Sequence, residues 1–86
     1  DYRARISALD DAGPELNAVI VAADADEAAR AAEAAAGMPL AGRTVLVKDN
    51  IETREWPTTA GSLALADNNT RRDAPLIARM RAAGGV

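Results

Sequence analysis

The 86-residue chain has no cysteine, no histidine and no phenylalanine. Without cysteine it can form neither a disulfide nor a thiolate metal site. Without histidine, a Ser-His-Asp arrangement cannot be assembled from these residues. The aromatics are Tyr2 and Trp56 alone, so the dense aromatic core that helps small domains to fold is missing. No apolar run approaches the roughly 20 residues of a membrane span. The net charge is −3 and the basic residues are scattered, with Arg71-Arg72 only a pair. A nucleic-acid surface needs a clustered basic stripe, so no nucleic-acid partner is expected, and no membrane either. The glycine segments "AGR" and "AGGV" match neither GxGxxG nor GxxxxGK[ST], which excludes the common phosphate-binding loops.

What is present reads as globular: about half of the residues are apolar and about a quarter charged. Alanine supplies much of that apolar content and buries little area. A chain this short buries only about 60% of its extended surface. A piece of a larger domain is therefore the expectation. The ends agree with it. The chain opens on "DYRARI" with no initiator Met, and closes on "AAGGV", where Gly84-Gly85 reads as a helix stop and Val86 as the first residue of a new strand.

Tyr2, Ile6 and Leu9 share one helical face, and Gly13-Pro14 ends that helix. "NAVIVA", Asn17 to Ala22, is a short apolar run rich in β-branched residues, which predicts a buried strand. Asp24 and Glu27 have capping-box spacing ahead of the helix-forming "DEAARAAEAAAG", which Gly37 and Pro39 terminate. "TVLVK", Thr44 to Lys48, predicts a second buried strand. "DNIETREWPTTAGS" predicts a long loop, and "SLALA" one helical turn. Asp73 is placed to cap a last helix with Pro75 in its first turn and Leu76, Ile77 and Met80 on its apolar face. Alternating helices and strands predict an α/β layered fold with an incomplete sheet.

The chain carries nine arginines and a single lysine, Lys48, at the end of an apolar run. In an α/β sheet the C-terminal ends of strands face the crevice where ligands bind. A lysine there can give up its proton and act as a base, whereas a guanidinium stays charged. The ordinary alternative is a side chain snorkelling from a strand end, or an ion pair with Asp49. Ser62 in "TTAGS" reads as a turn or cap residue rather than a nucleophile. Asp49, Glu52 and Glu55 raise a metal or paired-carboxylate site, but Glu52 and Glu55 fall in a polar loop and read as solvated. Trp56 either lines a pocket or covers the loop.

The stretch "GMPLAGRTVLVKDNIETREWPTTAGSLAL" resembles the amidase signature family, whose members carry G-P-L-x-G-x-x-x-x-x-K-D-N-I followed shortly by T-x-x-G-S. The flanking "LNAVI" and "RDAPLIARMRAAGGV" match as well, so that the resemblance runs from about Ile6 to Val86. Met38 stands where the family more often has Gly before the proline. The resemblance implies that residues 1–86 are the N-terminal segment of one α/β/α amidase domain built on a mixed sheet. It implies carboxamide cleavage by a Ser–cis-Ser–Lys mechanism, with Lys48 as general base. Both serines and the oxyanion loop of the family pattern lie past Val86, and neither Ser7 nor Ser62 occupies their positions. Asp49, Asn50, Thr59 and Ser62 match positions that support the site and shape its loop; loop hydrogen bonding with no catalytic effect is the alternative.

The expected partner is a small-molecule or peptide amide substrate, with a homodimer as an option and no cofactor or metal. A cytoplasmic location is expected, with the periplasm as the alternative because the N-terminus is incomplete. "TTAGSLAL" looks more like the bacterial amidases and peptide amidases than the tRNA-dependent amidotransferase subunits. A non-catalytic truncated module is the reading from another class.

Overall fold

The computed structural model describes residues 2–86, in two units, Asp1–Arg30 and Ala31–Val86. In the first unit, helix α1 (Tyr2–Arg5) continues as a π-helical turn, Ile6–Asp11. The widened i→i+5 bonding shifts the register of the helix. Tyr2 and Leu9 are consequently exposed and Ile6 half-buried, so the expected apolar stripe does not close over a core. Gly13, at φ 58°, turns the chain out of the helix; a Cβ there would lie 2.5 Å from the Ala8 carbonyl oxygen. The following segment folds back onto Asp10, which is only 5% exposed. Its carboxylate accepts from the backbone N–H of Ala18 at 2.6 Å and of Val19 at 3.0 Å. Arg3 Nη1 donates to the Ala23 carbonyl.

Helix α2 (Ala25–Ala34) starts where the capping-box spacing predicts. Asp24 Oδ1 accepts from the N–H of Asp26 at 3.0 Å and of Glu27 at 3.1 Å, pairing two donors that the first turn would leave free. Asp26 and Glu27 then add negative charge at the positive end of the helix dipole.

In the second unit a single 3₁₀ turn, Leu63–Leu65, forms where "SLALA" predicts it, and helix α3 spans Pro75–Ala82. Pro75 sits in the first turn, where a missing N–H costs nothing. Ile77 is buried, Met80 half-buried and Leu76 exposed, so only part of the expected apolar face packs. Asp73 does not cap this helix: Ala74 holds the N-cap position, without a side-chain bond. Asp73 turns instead to Arg54, whose N–H donates to Oδ1 at 2.9 Å, and to Arg81, whose Nε lies 3.0 Å from Oδ2 as an ion pair outside hydrogen-bond geometry. A carboxylate between a guanidinium and a free backbone donor is better satisfied there than at a helix start.

After α3 the chain runs back along residues 40–45. Leu40 N–H donates to Ala83 O at 2.7 Å, Gly42 to Gly84 O at 2.8 Å and Val45 to Val86 O at 2.7 Å, while Val86 N–H returns to Arg43 O at 2.9 Å. Gly84 is buried at φ 93°, and a Cβ there would meet the Met38 Cβ at 2.7 Å. Only glycine allows this close approach.

The α/β expectation, the N-terminal part of an α/β/α domain with a mixed sheet, is corrected: the described residues hold no strand and no sheet. A strand exists only when a neighbour answers its N–H and C=O groups. Along Asn17–Ala22 the first such donors are taken by the Asp10 side chain. Along Thr44–Lys48 the pairing with Val86 stops after Val45. Neither run is buried: Ile20 is 72% and Leu46 80% exposed. Buried apolar side chains among the described residues are Ala35 and Ile77.

Candidate functional site

Lys48 ends the extended segment that begins at Arg43, and its carbonyl accepts from Ile51 N–H at 3.0 Å, closing a turn over Asp49 and Asn50. The Lys48 side chain is exposed and forms no ion pair with the described residues. The expected shelter of an apolar strand end is therefore absent here, and so is the alternative ion pair with Asp49.

Asp49 looks the other way. Its carboxylate accepts from Thr59 N–H at 3.1 Å and from the Thr59 hydroxyl, and its main-chain oxygen accepts from Ala60 N–H at 2.9 Å. The bonds to its carboxylate hold the carboxyl below the usual carboxylate range, with the Thr59 hydroxyl the largest cause, the Thr59 N–H next and the Lys48 charge the smallest. Thr59 Oγ1 accepts in turn from Gly61 N–H at 3.2 Å, and Thr59 O from Ser62 N–H at 2.8 Å. Ser62 is exposed and opens the 3₁₀ turn without a side-chain cap bond. Asn50 is exposed. The structure thus brings Asp49, Thr59 and the Ser62 backbone into one hydrogen-bonded group beside Lys48. Thr59, Gly61, Ser62, Leu63 and Ala66 line an open cavity of about 340 Å³.

The rest of the loop is held by charge. Arg72 grips Glu52 with two bonds, Nε to Oε2 at 2.6 Å and Nη2 to Oε1 at 2.9 Å. Arg81 Nη2 donates to Glu55 Oε2 at 2.6 Å, and Arg54 Nε lies 3.4 Å from the other Glu55 oxygen. Glu52 and Glu55 are therefore paired rather than merely solvated. The Arg72 fork, by hydrogen bond and charge, holds the Glu52 carboxyl below its ordinary range. Asn68 ties the loop from the far side, its side-chain amide donating to Thr58 O at 3.0 Å and its main-chain oxygen accepting from Thr58 N–H at 3.0 Å. Trp56 is half-buried. Among the described residues no three His, Cys, Asp or Glu side chains gather as a metal site would need, and no helix is long and apolar enough to cross a membrane. The roles of Asp73, Arg54, Arg81 and Arg72 escaped sequence reasoning, because partners 19 to 26 positions apart leave no periodic signal.

A sequence model described as Amidase matches residues 2–86. The chain belongs to the amidase family. Among curated proteins it is similar to a glutamyl-tRNA(Gln) amidotransferase subunit of Salinispora tropica, 42% identical over 95% of this chain and 18% of that protein. It is likewise similar to the proteins of the same name from Burkholderia vietnamiensis, 42% identical over 88% of this chain and 16% of that protein, and Halobacterium salinarum, 49% identical over 63% and 13%. The chain thus spans less than a fifth of the length of these amidase-family relatives. No solved structure gives a significant match.

Proposed function

We propose that the chain is the N-terminal portion of an amidase-family enzyme that cleaves carboxamide C–N bonds with Lys48 as general base. The observation that carries this reading is the Lys48-Asp49-Asn50-Ile51 turn joined to the Thr58–Ser62 segment, in a chain matched by the Amidase family along residues 2–86. Lys48 is the sole lysine of these 86 residues and the lysine of the Lys48-Asp49-Asn50-Ile51 turn. In this mechanism neutral Lys48 accepts a proton relayed through a bridging serine from the attacking serine, and returns it to the leaving amine. Those two serines are not among these 86 residues, so the 86-residue chain alone is expected to hydrolyse no amide. The substrate is a small-molecule or peptide amide.

The test is release of ammonia or amine from simple carboxamides by the full-length protein that carries this chain, compared with its Lys48→Ala variant. Turnover lost in the variant supports the reading; turnover retained, or hydrolysis by the isolated 86-residue chain, overturns it.

A second reading is carried by the relatives' names. Proteins named as glutamyl-tRNA(Gln) amidotransferase subunits cover up to 95% of this chain. On that reading the full-length protein works inside an assembly. Co-purification with other subunits and dependence on glutamine distinguish it from a free-standing amidase.

A further inference from the structure

We propose that Asp49 is a positioning residue, whose carboxylate latches the Thr59–Ser62 turn to the backbone that presents Lys48. This rests on the reading of Lys48 as the base. Asp49 and Thr59 are ten residues apart, and the loop between them has no regular structure. Closing such a loop is entropically unfavourable, so its ends stay together only if bonds hold them. Asp49 supplies three: both carboxylate oxygens engage Thr59, and its carbonyl engages Ala60.

Thr59 passes the constraint on. Its hydroxyl donates to Asp49 and accepts from Gly61 N–H, and its carbonyl accepts from Ser62 N–H. Ala60 sits within the latch at φ 50°, a conformation that a non-glycine residue adopts only when its surroundings impose it. The latch therefore aligns two things at once. It orients the peptide joining Lys48 to Asp49, and it sets the wall of the cavity lined by Thr59, Gly61, Ser62, Leu63 and Ala66. Asp49 touches no reacting atom in this account. It acts through the direction in which Lys48 leaves the chain, and a displacement of about 1 Å at such a position can cost ~100-fold in rate.

The experiment is steady-state amide hydrolysis by the full-length protein and its Asp49→Ala, Thr59→Val and Thr59→Ser variants, plus the Asp49→Ala/Thr59→Val double variant. The expectation is a fall in kcat of roughly 10- to 100-fold for Asp49→Ala and Thr59→Val, with KM changed by less than about threefold. The double variant should be no worse than the poorer single one, because both remove the same latch. Thr59→Ser keeps the hydroxyl and should restore kcat to within about threefold of wild type. If Asp49→Ala does not fold, the Thr59→Val and Thr59→Ser pair decides. The inference is overturned by kcat within twofold of wild type in Thr59→Val, by additive losses in the double variant, or by Thr59→Ser failing as badly as Thr59→Val. Turnover retained in Lys48→Ala would overturn the base assignment itself, whereas a Lys48-dependent wild type with an indifferent Thr59→Val overturns the latch alone.

Discussion

Lys48 tests the proposed chemistry at the scale of one side chain. It stands at the end of an extended segment, with Asp49 committed to Thr59 rather than to its ammonium. If Lys48 serves only as a positive charge, arginine should replace it. If it serves as a base, arginine should fail, because a guanidinium does not give up its proton in a protein. Lys48→Arg in the full-length protein is expected to lose at least ~100-fold in kcat, close to the loss in Lys48→Ala. Substantial turnover in the arginine variant would make Lys48 structural. Family resemblance named this lysine from the sequence. Nothing local to it foretold that Asp49 would pair ten residues onward.

The helical elements were the most readable parts of the chain, since their signals are local. Asp24 and Glu27 announced the start of α2, and the structure shows the Asp24 carboxylate on two first-turn N–H groups. Asp24→Ala frees those donors and is expected to destabilise the protein by about 1 kcal/mol in urea unfolding, with Asp24→Asn nearly neutral. An unchanged midpoint in the alanine variant would show that solvent satisfies the helix start equally well. Asp73 shows the limit of the same logic. Its position before Pro75 suited a cap, yet Arg81 and the Arg54 N–H claim its oxygens. The runs around Val19 and Leu46 had strand composition, but composition supplies only one side of a ladder. The Asp10 carboxylate takes two donors of the first run, and Val86 pairs with only a short part of the second.

Across the whole molecule, the loop between Lys48 and α3 depends on ionised carboxylates more than on apolar burial. Asp49 is held below the usual carboxylate range by Thr59, and Glu52 by Arg72. A carboxyl whose folded-state pKa is depressed contributes stability above its unfolded-state value, about 4 for these side chains, and loses it as pH falls through the folded-state value. Thermal stability should therefore vary little in this respect between about pH 7 and pH 5, then fall below about pH 4. In Glu52→Gln that acidic fall should be shallower, and added salt should weaken the Arg72–Glu52 contribution because both groups reach solvent. Unfolding curves recorded from neutral to acidic pH, with the same acidic fall in Glu52→Gln as in wild type, would contradict this account.

The amino-acid sequence alone determined the family, the start of α2, the turn at Leu63–Leu65 and the singular position of Lys48. Each of these depends on residue identity or on neighbours a few positions apart, which is the reach of backbone propensity and capping. Tertiary structure decided the rest: that Asp49 binds Thr59, that Arg72 binds Glu52, that Asp73 leaves α3 uncapped, and that the two apolar runs form no strand among the described residues. Those outcomes turn on which donors and acceptors meet once loops have closed, and a hydrogen bond across ten or twenty residues leaves no period in the sequence to read.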